Sequence, residues 1–225
     1  MPLKPVVLVT GLGGRIGRAI AQALGGAYTL VGFELRCGEG DPHCIVADIT
    51  SDEALTRACD TLRARHGSRL AAVIHLAAFY DFSGREDPRY DEVNVRGTER
   101  LLGALQSFEV ERFVYASTML VHAPGAPGRP IDEGAPLEPK WPYPRSKLAA
   151  ERAVMACRGS IPAAVLRIAG VYTDDCEVPS LAYQIARIYE RSLESRLFPG
   201  DPSHGQAFLH IDDLAQAFRA VVERR

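Results

Sequence analysis

Tyr143-Pro144-Arg145-Ser146-Lys147 sets a phenol and an amine four residues apart. On a helix that spacing puts both side chains on one face. A protonated lysine beside a tyrosine favours the phenolate and draws its pKa down from about 10. The phenol can then exchange a proton with a hydroxyl or carbonyl. Pro144 biases Tyr143 out of helical geometry, so the expected arrangement has Pro144 in the first turn and Tyr143 at the helix entrance. Thr10-Gly11-Leu12-Gly13-Gly14-Arg15-Ile16-Gly17 carries a second chemistry. It follows a short apolar run and opens a helical pattern. Glycines there allow a tight turn and close backbone approach, while the helix N-terminus offers N–H groups to a pyrophosphate. Ser117 and Thr118 close the run Phe113-Val114-Tyr115-Ala116, at a strand end where a hydroxyl could hold a reacting oxygen.

Acidic residues refine the dinucleotide reading. Glu34, at the end of the second strand pattern, is placed to bond the adenosine ribose hydroxyls and to repel a 2′-phosphate, which favours NAD over NADP. Arg15 and Arg36 are the counterweight, since either could pair with a phosphate. Asp48 follows the third strand pattern and could accept from an adenine amino group or cap the next helix. His75, His122 and His210 lack metal-ligand spacing and read as packed or hydrogen-bonded histidines; Asp212-Asp213 reads as the cap of the last helix.

These residues need a scaffold, and the pattern supplies one. Apolar runs at Val6 to Thr10, Tyr28 to Phe33, Cys44 to Ala47, Ala71 to Leu76, Phe113 to Ala116 and Ala163 to Ile168 read as strands. Between them lie helical stretches at Ile16 to Leu24, Ala54 to Leu62, through Leu101, Leu102 and Leu105, and from about Ser146 to Cys157. Continuous apolar strands alternating with helices predict a Rossmann-like, doubly wound parallel α/β sheet. Ser51-Asp52-Glu53 and Asp87-Pro88 mark helix starts. The segment Ala123 to Pro144, rich in proline and glycine, reads as a loop bordering the crevice. A helical stretch near Leu181 to Leu193 and an amphipathic helix through Leu214, Ala217, Phe218 and Val221 complete the chain.

Composition excludes several classes. The 225 residues suit one domain, 1–225, with 170–210 as a reduced substrate region. Twenty-six basic residues against twenty-eight acidic ones, scattered along the chain, argue against a nucleic-acid partner. No apolar run reaches the roughly 20 residues of a membrane span, and Val6-Val7-Leu8-Val9 is too short for a signal-peptide core, so a cytoplasmic protein without a membrane partner is expected. Five cysteines without Cys-x-x-Cys spacing read as reduced thiols in or near the core, with no metal site.

Together these motifs resemble the short-chain dehydrogenase/reductase superfamily, in its extended, NAD-dependent epimerase/dehydratase branch. Thr10 to Gly17 resembles that branch's T-G-x-x-G-x-x-G, Asp48-Ile49 its adenine-contacting pair, and His75-Leu76-Ala77-Ala78 its H-x-A-A turn. Asn94-Val95-Arg96-Gly97-Thr98 is similar to N-V-x-G-T, and Ala116-Ser117-Thr118 to A-S-[ST]. Arg167 to Tyr172 is similar to R-x-x-x-V-Y, and His210 to Ala215 to H-V-x-D-x-A.

The resemblance implies Tyr143, Lys147 and Thr118 as catalytic residues. It implies Gly11, Gly14, Arg15, Ile16, Gly17, Glu34, Asp48, Ile49, Leu76, Ala77, Ala78 and Asn94, with Tyr143 and Lys147, as contacts to NAD. Two departures stand out. His122 occupies the tyrosine position of S-x-x-V-Y-G, and extended members run about half as long again. The expected function is NAD-dependent oxidation or reduction of a small secondary alcohol or ketone. Tyr143-Pro144-x-Ser-Lys and Phe79-Tyr80-Asp81-Phe82 look more like hydroxysteroid dehydrogenases and flavonoid reductases than sugar-nucleotide members. The alternatives are a nucleotide-sugar epimerase or dehydratase and an inactive dinucleotide-binding regulatory domain. A homodimer, or a further domain of a longer chain, is the expected macromolecular context.

Overall fold

Valines and leucines along Val6–Thr10 (β1) point alternately to the two faces of a sheet, Val7 and Val9 to one and Leu8 to the other. A computed structural model describes residues 4–81, 83–126, 128–176, 179–196, 205 and 207–224. Beyond β1 the elements are α1 (Arg15–Leu24), β2 (Thr29–Glu34), β3 (Cys44–Val46), α2 (Asp52–His66), β4 (Arg69–Leu70), β5 (Ala72–His75) and α3 (Gly97–Leu105). There follow β6 (Glu109–Val110), β7 (Phe113–Thr118), α4 (Pro142–Cys157), β8 (Ala163–Ile168), β9 (Gly170–Tyr172), α5 (Pro179–Tyr189), β10 (Phe208–His210) and α6 (Ile211–Glu223).

Six strands form one parallel sheet in the order β3-β2-β1-β5-β7-β8, the doubly wound arrangement expected from the alternation of strands and helices. One face carries α2, α3 and α4 over Leu8, Val31, Phe33, Val73, Phe113 and Tyr115; the other carries α1 and α6 over Val7, Val9, Ile74 and Val114. Because all strands run the same way, their carboxyl ends share one edge. The order reverses between β1 and β5, and that reversal opens the crevice in which such sheets bind ligands.

Four local findings differ from the sequence expectation. First, α4 starts at Pro142 rather than near Ser146. Trp141 is its extended N-cap and Pro142 its first residue, and prolines are tolerated in a first turn because N–H groups there have no helical acceptor. Second, Tyr90–Arg96 is π-helical before α3 begins, which hydrophobic periodicity does not distinguish from an α-helix. Third, β9 and β10 pair in parallel outside the main sheet, and the N-cap of α6 is His210, whose ring accepts from Asp212 N, so Asp212 and Asp213 occupy the first turn instead of the cap.

The fourth is a correction to the cysteines: Cys37 and Cys44 form a disulfide, their Cα atoms 5.6 Å apart, while Cys59, Cys157 and Cys176 are free. Turns at Gly38 and Asp41, with Gly40 at φ +72°, carry the chain back beside β2, so the two thiols meet across the loop. The expected substrate region is described in part: 177–178, 197–204 and 206 lie outside the described residues, as does Phe82 of the aromatic cluster.

Candidate functional site

The glycine turn stands at the carboxyl end of β1. Gly11 has φ +81°, a conformation that favours glycine, and its N–H donates to Phe33 O at 3.1 Å. At Gly17 a Cβ would lie 2.6 Å from the Leu12 carbonyl carbon and closer still to the Gly11 and Leu12 oxygens, so only glycine lets α1 start against this turn. No side chain caps α1, so backbone N–H groups of its first turn are left without a helical acceptor. Arg15 is exposed on that turn and Ile16 is half-buried against the core behind it. Glu34 reaches across from the end of β2, and its carboxylate accepts from Gly13 N at 2.6 Å. The residue expected to bind the ribose therefore also fixes the glycine turn.

Next to the turn, β5 ends in a closed hydrogen-bond knot. Thr98 Oγ1 donates to Asn94 O at 2.7 Å, so it accepts from His75 Nε2 at 3.0 Å. His75 Nδ1 is then bare and accepts from Thr10 Oγ1 at 2.7 Å, while that oxygen accepts from Leu76 N and Ala77 N at 3.2 and 3.1 Å. Burial, with Lys147 as a smaller positive neighbour, pushes His75 down to about 3. The ring is a neutral tie between β1, β5 and α3, in keeping with the packed histidine expected there.

After this knot Leu76 and Ala77 are half-buried and Ala78 is exposed. Asp48 is half-buried, and its Oδ1 accepts from Thr50 N and Thr50 Oγ1; the α2 cap is Ser51, which accepts from Ala54 N. Two expected cofactor contacts are interior. Ile49 is in the core against Gly97, where a Cβ would come within 2.9 Å of it. Asn94 is 1% exposed and uses its amide on Phe79 N, Phe79 O and Ser146 Oγ at 2.6, 3.0 and 2.9 Å. It braces the chain after β5 against α4.

On α4, Tyr143, Lys147 and Glu151 follow at four-residue steps along the face turned to the sheet. Lys147 is 2% exposed, with Nζ 4.3 Å from the centre of the Tyr115 ring. Burial lowers its pKa to about 7, and the Glu151 charge opposes that fall. Tyr143 packs edge-on against Tyr80, ring centres 4.4 Å apart, beside Phe79 and Tyr90. Its pKa moves opposite to the sequence expectation. Burial raises it well above the usual value, with Tyr80 and Tyr90 adding to the rise. The phenol is therefore protonated at neutral pH. Thr118 is 7% exposed at the end of β7, and its Oγ1 accepts from Leu120 N at 3.3 Å, which starts the turn Met119–Val121.

The sequence reading passed over a charged chain that continues from this face. Ser117 Oγ donates to Glu151 Oε1; Arg167 donates to both Glu151 oxygens, with Nη2 to Oε2 at 2.8 Å. Ser117 and Arg167 are register partners on β7 and β8. Arg167 Nη1 also reaches His122 Nε2 at 3.2 Å and Glu133 O at 3.3 Å, while the other ring nitrogen of His122 donates to Ala135 O at 3.2 Å. His122 thus links the proline-rich loop to the ion pair. The available signal was Glu151 itself, one further turn after Lys147.

A doubly wound parallel sheet with a glycine turn at one strand end is a Rossmann-like arrangement, here with a Tyr-Lys pair over its carboxyl edge. The model of the NAD dependent epimerase/dehydratase family matches residues 7–225, and the chain belongs to that family. It is 32% identical to short-chain dehydrogenase/reductase family 42E member 1 of Bos taurus, over 95% of this chain and 57% of that protein. It is 30% identical to 3 beta-hydroxysteroid dehydrogenase type 7 of Mus musculus, over 78% of this chain and 49% of that protein. The chain thus spans about half the length of these two curated relatives. The solved structure of Thermus thermophilus UDP-glucose 4-epimerase in complex with NAD is similar at TM-score 0.76 and 28% identity, covering 98% of this chain and 75% of that one. Among the described residues no helix is long and apolar enough to cross a membrane.

Proposed function

We propose that this chain binds NAD and carries out oxidation or reduction of a secondary alcohol or ketone, with Tyr143 as the proton-exchanging group. The observation that carries the reading is the stacking of Tyr143 and Lys147 on one face of α4, above the carboxyl edge where the Gly11 to Gly17 turn also opens. That turn fits a dinucleotide. Its backbone leaves no room for a side chain at Gly17, and α1 begins without a side-chain cap. Gly11, Gly14, Arg15, Ile16 and Gly17 would hold the pyrophosphate, Glu34 the adenosine ribose, Asp48 the adenine, and Leu76 to Ala78 the floor of the groove. Ile49 and Asn94 would support it from behind. Glu34 favours NAD over NADP because a carboxylate repels a 2′-phosphate.

Bound NAD supplies a site that takes up or returns a hydride. The protein's own groups handle the proton. Tyr143, protonated at neutral pH, donates to a carbonyl oxygen as that oxygen gains charge, and recovers the proton in the reverse direction. Lys147, buried beneath, supplies the positive charge that steadies the resulting phenolate, and Thr118 orients the substrate oxygen by hydrogen bonding. Tyr80, Phe79 and Tyr90 form an aromatic wall beside Tyr143 that suits a substrate with an apolar body. The region 170–210 would complete the substrate side.

A second reading, nucleotide-sugar epimerisation or dehydration, draws on the likeness to the Thermus epimerase. The same groups would then act in both directions on one bound substrate. Turnover with added NAD over a panel of secondary alcohols and hydroxysteroids, followed by NADH absorbance, tests the first reading. Co-purified NAD with sugar-nucleotide conversion and no net redox would favour the second, and NAD binding without turnover would leave only a regulatory role.

A further inference from the structure

Tyr143 and Lys147 are the groups the proposed reaction uses, yet the same helix face carries a third ionisable residue one turn on. Glu151 is 6% exposed, and every polar contact it makes is a donor: Ser117 Oγ from β7 and the Arg167 guanidinium from β8, which bonds both of its oxygens. A carboxylate held in that way is fixed in place. A buried ammonium needs such a partner, because taking it out of water disfavours its charged form.

We propose that Glu151 is a positioning residue for the Tyr143–Lys147 pair, serving as the fixed countercharge of the Lys147 ammonium. The groups facing Lys147 leave this part to Glu151. From β7 it meets the face of the Tyr115 ring, and from β5 the neutral His75. On its own helix lie the protonated Tyr143 one turn before and Glu151 one turn after. Among the described residues facing it, Glu151 is the anion. Arg167 limits how much of that charge Lys147 feels, and His122, through Arg167 Nη1 and Ala135 O, ties the arrangement to the loop before α4. The opposed effects of burial and of Glu151 on Lys147 agree with this placement.

The inference rests on the reading of Tyr143 and Lys147 as the reacting pair, but its test needs neither NAD nor substrate. The chain has three lysines, Lys4, Lys140 and Lys147. Protein labelled with 13C-lysine gives three side-chain signals whose Cε shifts report protonation, and Lys147→Arg identifies the one of interest. That signal should titrate near 7 in the unaltered protein. Glu151→Gln should lower its midpoint by about one unit or more, the effect of removing a neighbouring opposite charge. Arg167→Met, which frees the carboxylate, should raise it. Loosened packing would hydrate Lys147 and raise the midpoint in both variants, so opposite shifts separate a countercharge from a structural brace. If Glu151→Gln fails to fold with Arg167 left unpaired, Glu151→Gln/Arg167→Met removes both charges and should still titrate below the unaltered protein. A midpoint in the glutamine-bearing protein equal to or above the original overturns the proposal. Absence of turnover with normal titrations would count against the proposed reaction alone.

Discussion

Two polar networks sit in neighbouring layers of this sheet, and they are built on opposite rules. Around β5, Thr10, His75, Thr98 and Asn94 O close a knot without charge: each hydroxyl and ring nitrogen has an assigned direction, and the imidazole stays neutral. Around β7 and β8, Glu151 and Arg167 form an ion pair that Ser117 and His122 extend, running from the helix face that carries Lys147 to a surface loop. A neutral, satisfied network rigidifies, and it holds the edge from which the glycine turn departs. A charged one costs desolvation and is kept where a field is needed. On the proposed reading, the contrast separates residues that hold the crevice open from residues that serve the reaction.

The largest effect should come on the charged side. Tyr143→Phe removes the proton-exchanging hydroxyl while leaving the ring against Tyr80, so kcat should fall by about 10²–10⁴-fold while NAD affinity by calorimetry stays nearly unchanged. Equal loss of NAD binding would merge the two regions into one. On the cofactor side, Gly17→Ala forces a methyl into the Gly11 and Leu12 carbonyls, which are backbone and cannot swing away. It should cost about 3 kcal/mol in urea unfolding and weaken NAD binding as well.

The neutral knot has its own signature. His75 titrates near 3 when folded and near 6.5 when unfolded, so below pH 6.5 the unfolded chain binds the proton first. Stability present above that pH should drain as pH falls toward 3, by up to about 1.4 kcal/mol per pH unit from this group. His75→Gln, which can still bridge two hydroxyls, should flatten that part of the urea-unfolding profile; an unchanged slope would mean the ring is charged. The smallest effect is expected at Glu34. Glu34→Ala frees Gly13 N–H and removes the carboxylate, and should shift the ratio of NAD to NADP dissociation constants by about tenfold toward NADP.

The glycine turn and the strands around it were legible because their constraints are local. A glycine forced by Gly11 φ and by the carbonyls over Gly17 is written in the residue type, and β1, β2, β5 and β7 are continuous apolar runs. Of the proposed acting region the sequence offered only Tyr143, Lys147 and Thr118. Glu151 and Arg167 meet across β7, β8 and α4, a pairing that strand register creates and sequence spacing does not announce. The fall of the Tyr143 pKa expected from Lys147 failed for a related reason. Spacing on a helix predicts proximity, but the sign of the shift depends on burial, and Tyr143 lies among Tyr80 and Tyr90 while Lys147 turns to Tyr115. The Cys37–Cys44 disulfide likewise depends on a loop returning on itself.

The most direct measurement is a crystal structure of the chain with NAD. The pyrophosphate should lie against the Gly11 to Gly17 turn, the ribose at Glu34, and the nicotinamide beside Tyr143 over the carboxyl ends of β5 and β7. A dinucleotide bound with its nicotinamide directed away from Tyr143 and Lys147, or bound away from the glycine turn, would contradict the division of this sheet into a holding and an acting region.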